Sequence, residues 1–322
     1  DDASQLMPKY LRFIRGVIDS EDLPLNVSRE ILQQSRDLKT IRDGSTKRVL
    51  SMLEDLAASR AADYDKFWAL FGNVLKEGMG EDPANRERIQ KLLRFVSTAT
   101  EGKQTATLEG YLARMKTGQN SIYYVTGDTP EAAAKSPLLE LFKKKDVEVL
   151  LMGGPIDEWL MQFMTEFEGK SFVNISKGDL DLGDLSDKNE KEEKEKLQVE
   201  FKPLIDKFKE ALGSSVQDVR MTLRLTDSPA CIVNDENALN PAFVRMMKMA
   251  GQEVPESKPI LELNPNNPLV ARLQEKNAFS PDWAKLLLEQ AQLMEGETLE
   301  DPAGFVQRMN TMLVDSMHAK GN

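Results

Sequence analysis

The feature that most constrains this chain is a run that no core can absorb. Gly183–Lys196, GDLSDKNEKEEKEK, holds a single leucine among charged and polar residues. Burying so many ionised groups without partners costs far more than the few apolar contacts return. The run therefore reads as a solvated linker entering a charged helix. It places a domain boundary near residue 190 and divides the 322 residues into 1–189 and 190–322. Such a length exceeds one ordinary domain and fits two or three.

Upstream of the run the text is helical from Arg29 to about Lys76, where Leu32, Leu38, Ile41, Val49, Met52, Leu53 and Leu56 recur at helical spacings. Gly44 is expected to mark a bend or a helix junction. A second apolar series, Tyr64, Phe67, Trp68 and Phe71, runs into the breaker Gly78–Gly80. Then the rhythm changes. Strands are predicted at Ser121–Thr126, Val147–Met152 and Phe172–Ile175, with helices Pro130–Lys144 and Ile156–Phe167 between them. Apolar strands alternating with helices argue for parallel pairing in a small three-layer α/β unit.

Downstream, Phe201–Leu212 reads as a helix, and Val219–Leu225 with Ala230–Val233 as an antiparallel hairpin turning at Thr226–Pro229. Asn240–Pro241 and Asn267–Pro268 each set a capping side chain before a proline at the first helical position. Two helices, Pro281–Met294 and Pro302–Met317, end the chain. The fold class is α/β, α+β overall: a helical segment with a small three-layer α/β unit, then an α+β domain ending in a helix pair.

Much chemistry is excluded by what the residues lack. With 42 Lys and Arg against 53 Asp and Glu the net charge is −11, which repels phosphate backbones, so no nucleic-acid partner is expected. No apolar stretch approaches the roughly 18 residues of a membrane span, and no secretory leader pattern is present. The lone cysteine, Cys231, suits a reducing compartment, so the expected location is cytoplasmic, without membrane contact. His318, the only histidine, leaves a nucleophile–base pair or a metal site without ligands. No glycine-rich phosphate loop occurs either. The chain is expected to be no enzyme by itself, with neither metal nor cofactor.

One segment changes the outlook. Gly16–Gln34, GVIDSEDLPLNVSREILQQ, resembles a stretch of the middle domain of the ninety-kilodalton heat-shock chaperones. The match continues through KLLR at Lys91–Arg94 with Ser97–Thr98, IYYVT at Ile122–Thr126, Lys135–Pro137, Val147–Leu151 and PIDEW at Pro155–Trp159. It resumes with LTDSPA at Leu225–Ala230, ELNP at Glu262–Pro265 and TLEDP at Thr298–Pro302. These matches fall in order along essentially the whole chain, and the pattern is similar to the bacterial members, which lack an acidic C-terminal pentapeptide.

The resemblance implies an ATP-driven chaperone with an N-terminal ATPase domain, a middle domain and a C-terminal dimerisation domain. The chain opens on Asp1 in charged, helix-like text, and the resemblance implies that it starts inside the middle domain. ATP and magnesium would then serve the full-length protein and not this fragment. Arg29, near the first turn of a helix that Asn26 or Ser28 can cap, opposes the helix dipole unless an anion is near. On its residues alone it reads first as a surface arginine paired with Glu30 or another acid. The family places the matching arginine on the γ-phosphate of ATP, assisted by the residue matching Gln33.

Three further elements carry two readings each. In the helix Ile156–Phe167, Leu160, Met164 and Phe167 make one stripe, and Trp159 and Phe163 another. This is either a helix sandwiched between domains or, as the resemblance implies, a client-binding surface at Glu158, Trp159 and Gln162, the last standing where the family has asparagine. In Asn240–Ala250, Phe243, Met246 and Met247 share a side, as core or as an adaptable apolar surface. The resemblance places Leu239, Phe243, Met246 and Met247 at client contacts, the first two where a bacterial relative has methionines. Trp283, Leu286 and Leu287, then Phe305, Met309, Met312 and Leu313, make heptad-like stripes on the last two helices. They fit an intramolecular hairpin or, by resemblance, a four-helix homodimer bundle. The implied partners are a second copy and unfolded or partly folded client proteins, with co-chaperones left open.

Overall fold

A computed structural model describes residues 6–17, 36–178, 180, 182–185, 190–235, 244, 247, 251–252, 257–275 and 278–319. The chain forms two compact units, residues 1–114 with 156–172, and residues 115–155 with 173–322.

The first unit is mainly helical. Its long helix Arg36–Ser59 runs straight through Gly44, so the junction expected there falls at Arg60 instead, before Ala61–Lys76. One interior glycine costs about 1 kcal/mol, which the burial of Val49, Leu50 and Leu53 outweighs. Arg88 ties the helix Arg86–Leu92 back to the long helix, its Nε donating to Glu54 at 2.8 Å. In Ala61–Lys76 the buried face is Tyr64, Trp68, Gly72, Leu75 and Lys76. Gly72 is required: a Cβ there would stand 2.7 Å from Cε2 of Trp68, so only glycine lets the indole lie on the helix. Gly78–Gly80, expected as a breaker, begins a short helix of its own, Gly78–Glu81.

The predicted helix Ile156–Phe167 is shorter than expected, Pro155–Met161, and Phe167 lies in a strand. β4 (Glu166–Phe167) pairs antiparallel with the start of β5 (Lys170–Asn174), in the register Phe167↔Lys170. The connecting Glu168 and Gly169 have φ of +47° and +76°. Two consecutive positive φ angles make a tight hairpin turn, which demands strand on both sides and ends any helix before it. A further short strand of this unit is β1 (Val96–Ser97).

The second unit opens with the expected parallel pair. β2 (Ser121–Gly127) runs beside β3 (Leu150–Gly153) in the register Tyr124↔Leu150 to Gly127↔Gly153. The single helix predicted over Pro130–Lys144 is three pieces, Pro130–Ala133, a 3-10 turn Pro137–Leu139, and Glu140–Lys144. Pro137 cannot donate into a preceding turn and disfavours helix at Ser136. Thr129 caps the first piece, accepting from Ala132 N–H, and Ser136 caps the second, accepting from Leu138 N–H.

The charged run leads into the helix Glu190–Glu200, which buries nothing, followed by the amphipathic Lys202–Leu212. The expected hairpin of Val219–Leu225 with Ala230–Val233 does not form. β6 (Asp218–Met221) and β7 (Ala230–Val233) lie on either side of β8 (Ile260–Leu263), which pairs parallel to β6 and antiparallel to β7. β8 pairs with one edge of each strand, and on β6 the Gln198 side chain bonds both the carbonyl and the N–H of Met221. Glu262 at its centre is fully buried between Arg220 and Arg224, at 2.7 and 2.8 Å, where paired charge is tolerated and single charge is not. Over this sheet lies a core of Phe208, Val219, Ile232, Leu261, Leu263 and Leu287. Asn267 caps Pro268–Leu273 as expected, whereas Asn240–Pro241 lies outside the described residues. The last two helices are Pro281–Met294 and Pro302–Ala319.

Candidate functional site

The helix Pro155–Met161 starts with a proline whose absent N–H costs nothing at that position, and Asp157 and Glu158 in its first turn suit the positive end of the helix dipole. Leu160, Met164 and Phe167 are all buried, so the stripe read in the sequence does face inward although its last member is in β4. Trp159 and Phe163 stay half-buried on the other side, their rings 4.7 Å apart at 60°. Glu158 is half-buried and Gln162 is exposed.

Two features set the position of Trp159. Gly80 meets the indole so closely that a Cβ would lie 2.5 Å from Cζ2 of Trp159. Asp157, two residues before it on the helix, accepts from Nζ of Lys76 at 2.5 Å, and both side chains are almost fully enclosed. Removing either partner would strand a buried charge, which locks the helix onto Ala61–Lys76. Lys76 also sits over the Trp68 ring at 5.7 Å, and the Arg86 guanidinium over Phe163 at 5.3 Å.

Trp159 and Ile156 line a groove of about 380 Å³ with Gly80, Lys9, Glu77 and Glu81. Its carboxylates are already engaged. Glu81 accepts the backbone N–H groups of Lys9 and Tyr10 at 2.7 and 3.0 Å, and Glu77 accepts from Arg12 at 2.8 Å. What remains for a visitor is an apolar floor of Gly80, Ile156 and Trp159, together with the exposed Lys9 side chain.

The other predicted residues are distributed differently. Leu286 and Leu287 are buried within the chain, and Trp283 packs partly buried against the same core. Phe305, Met309 and Met312 are half-buried and Leu313 is exposed. Arg308 bonds Glu289, with Nε at 3.3 Å, and ties the last helix to the one before it. Met247 is helical and half-buried. Arg29, Gln33, Leu239, Phe243 and Met246 lie outside the described residues.

Lys76 and Asp157 were given no role in the sequence reading, and Gly80 was read only as part of a breaker. A signal existed for the first: Lys76 continues the apolar stripe of Trp68 two turns on, where a lysine needs a buried acid. Nothing local identifies Asp157 as that acid.

The Hsp90 protein family model matches residues 1–322. Chaperone protein HtpG of Bordetella avium strain 197N is 58% identical over 316 residues, 98% of this chain and 50% of the relative. The proteins of that name from Paraburkholderia xenovorans strain LB400 and Dechloromonas aromatica strain RCB are 59% and 55% identical over 319 and 315 residues, again 98% of this chain. The chain spans about half the length of these curated relatives. Among the described residues no helix is long and apolar enough to cross a membrane, and no cluster suited to a metal ion occurs. A full-length family match, together with identities this high, makes the chain a member of the Hsp90 family of heat-shock chaperones.

Proposed function

We propose that this chain holds unfolded or partly folded client proteins and pairs with a second copy, as part of an ATP-dependent cytoplasmic chaperone whose nucleotide-binding domain lies outside it. The observation that carries client binding is Trp159, half-buried in the apolar floor of a groove, on a helix that a buried ion pair holds still. A large aromatic presented on a rigid element binds apolar segments at low entropic cost. Glu158 and Gln162 flank it, and Met247, with Leu239, Phe243 and Met246, forms the second client surface. Dimerisation through the last two helices is supported by Leu313 and Val306, large apolar side chains 54% and 48% exposed. Residues 1–189 then act as a middle domain and 190–322 as the dimerisation domain. Arg29 and Gln33 serve the γ-phosphate of ATP, with its magnesium, in the full-length protein.

The test is binding of a reduced, permanently unfolded model protein to the wild type and to Trp159→Arg. Loss of at least about tenfold in affinity with an unchanged melting curve is expected, as for an interface anchor worth more than about 1.4 kcal/mol. Equal binding by the two would reduce the chain to a dimerisation module supporting ATP hydrolysis elsewhere.

A further inference from the structure

A second groove, of about 610 Å³, lies wholly within the second unit. The β2–β3 crossover contributes Lys135, Lys143 and Lys144, the loop after β6 contributes Thr226 and Asp227, and the end of Pro281–Met294 contributes Met294. These pieces are fastened to one another. The Glu140 carboxylate accepts the N–H groups of Thr226, Asp227 and Ser228 at 2.6, 2.9 and 3.1 Å, and the Ser228 hydroxyl at 2.5 Å. The Ser136 hydroxyl donates to Oε1 of Glu295 at 2.7 Å. The groove is thus preformed across three chain segments far apart in sequence.

Its charge is the reverse of the molecule's. The chain carries −11 overall, yet Lys135, Lys143 and Lys144 are exposed around the groove and make no ion pair with a described residue. Glu140, one of the two acids on its lining, is covered by donors, and burial, which alone would raise its pKa, is outweighed by those bonds, so the carboxyl stays ionised and occupied. Asp227 is the remaining acid on the lining. Met294, 41% exposed, adds an apolar side chain beside the ammonium groups.

We infer that this groove docks an acidic segment of another polypeptide, with an apolar side chain of that segment lying against Met294. Three flexible lysines accept carboxylates from many directions without the planar pairing an arginine imposes, and methionine adapts to varied apolar shapes. The site would therefore recognise composition more than a fixed motif. The net negative field of the chain opposes acidic ligands at long range, but at physiological salt it is screened beyond about 8 Å, and the local lysines decide. The inference rests on the second unit alone and is independent of client binding at Trp159.

The probe is a short fluorescent peptide of Glu and Asp around one central Leu, titrated against the whole chain by anisotropy. Saturable binding that weakens as salt rises is expected, with no binding by the same peptide carrying Gln and Asn. Lys143→Glu with Lys144→Glu should weaken it about tenfold or more, Met294→Ser several-fold, and Trp159→Arg not at all. These lysines are exposed, so the variants should melt like the wild type, and Lys143→Gln with Lys144→Gln gives a milder change in the same direction. Unchanged affinity in the charge-reversed variant would overturn the inference. So would inorganic phosphate displacing the peptide while Met294→Ser binds normally, because the groove would then be a small-anion site.

Discussion

The last two helices read alike in the sequence and have opposite fates in the structure. Both start on proline, and both carry large apolar residues at heptad-like spacing. Pro281–Met294 buries Ala284, Leu286, Leu287, Leu288 and Ala291, in a core shared with β7 and Lys202–Leu212. Along Pro302–Ala319, no side chain described is fully buried, and Val306, Leu313 and Val314 are about half exposed. Its start is well made, with Asp301 accepting from Gly304 N–H at 2.9 Å, so it is a formed helix with an uncovered face. The contrast separates two properties that one stripe conflates. Periodicity shows that a helix has an apolar face, whereas only the surrounding chain shows whether that face is already covered.

The sharpest way to break the comparison is to cut one side chain on each helix. Leu287→Ala leaves a cavity in the core and should cost about 2–5 kcal/mol in urea unfolding, at any protein concentration. A smaller effect that depends on concentration would mean that the penultimate helix is itself an intermolecular surface.

The next effect concerns acid. Glu295, just past the end of the penultimate helix, remains partly exposed as a residue, but its carboxyl is crowded. Burial first, and then Glu297, push its pKa up to about 7 from 4.5, against the lowering bond from Ser136. The folded state thus holds a proton that the unfolded state releases near pH 4.5. Stability from this group should fall as pH rises from about 4.5 to 7 and stay level above, by up to about 3 kcal/mol in all. Glu295→Gln should flatten that slope in melts taken across the range. If the slope survives, another group is responsible.

Leu313→Ala should do least to the single chain, within about 0.5 kcal/mol at high dilution, as for an exposed site. Its cost should grow with protein concentration if the uncovered face meets a second copy, since association stabilises by mass action. Sedimentation of Leu313→Glu should then show monomers where the wild type pairs. A wild type that stays monomeric at micromolar concentration would remove the dimer proposal.

Residues alone determined a good deal of this protein. The bounds of Pro281–Met294, the helix Lys202–Leu212 to within one residue, the parallel β2–β3 pair, the inward stripe of Leu160 and Met164, and the family resemblance were all legible. Each depends on spacing within a few residues or on a contiguous motif, which the order of side chains records directly. The tertiary structure decided the rest. It placed β8 between two strands expected to pair with each other, joined Lys76 to Asp157 across 81 positions, and set the Glu140 carboxylate on amides 86 to 88 residues away. A lysine on an apolar stripe announces that it needs an acid, and a strand end announces that it needs an edge. Which of 53 acids or which strand answers depends on how distant segments close around one core, and local spacing carries no information about that closure.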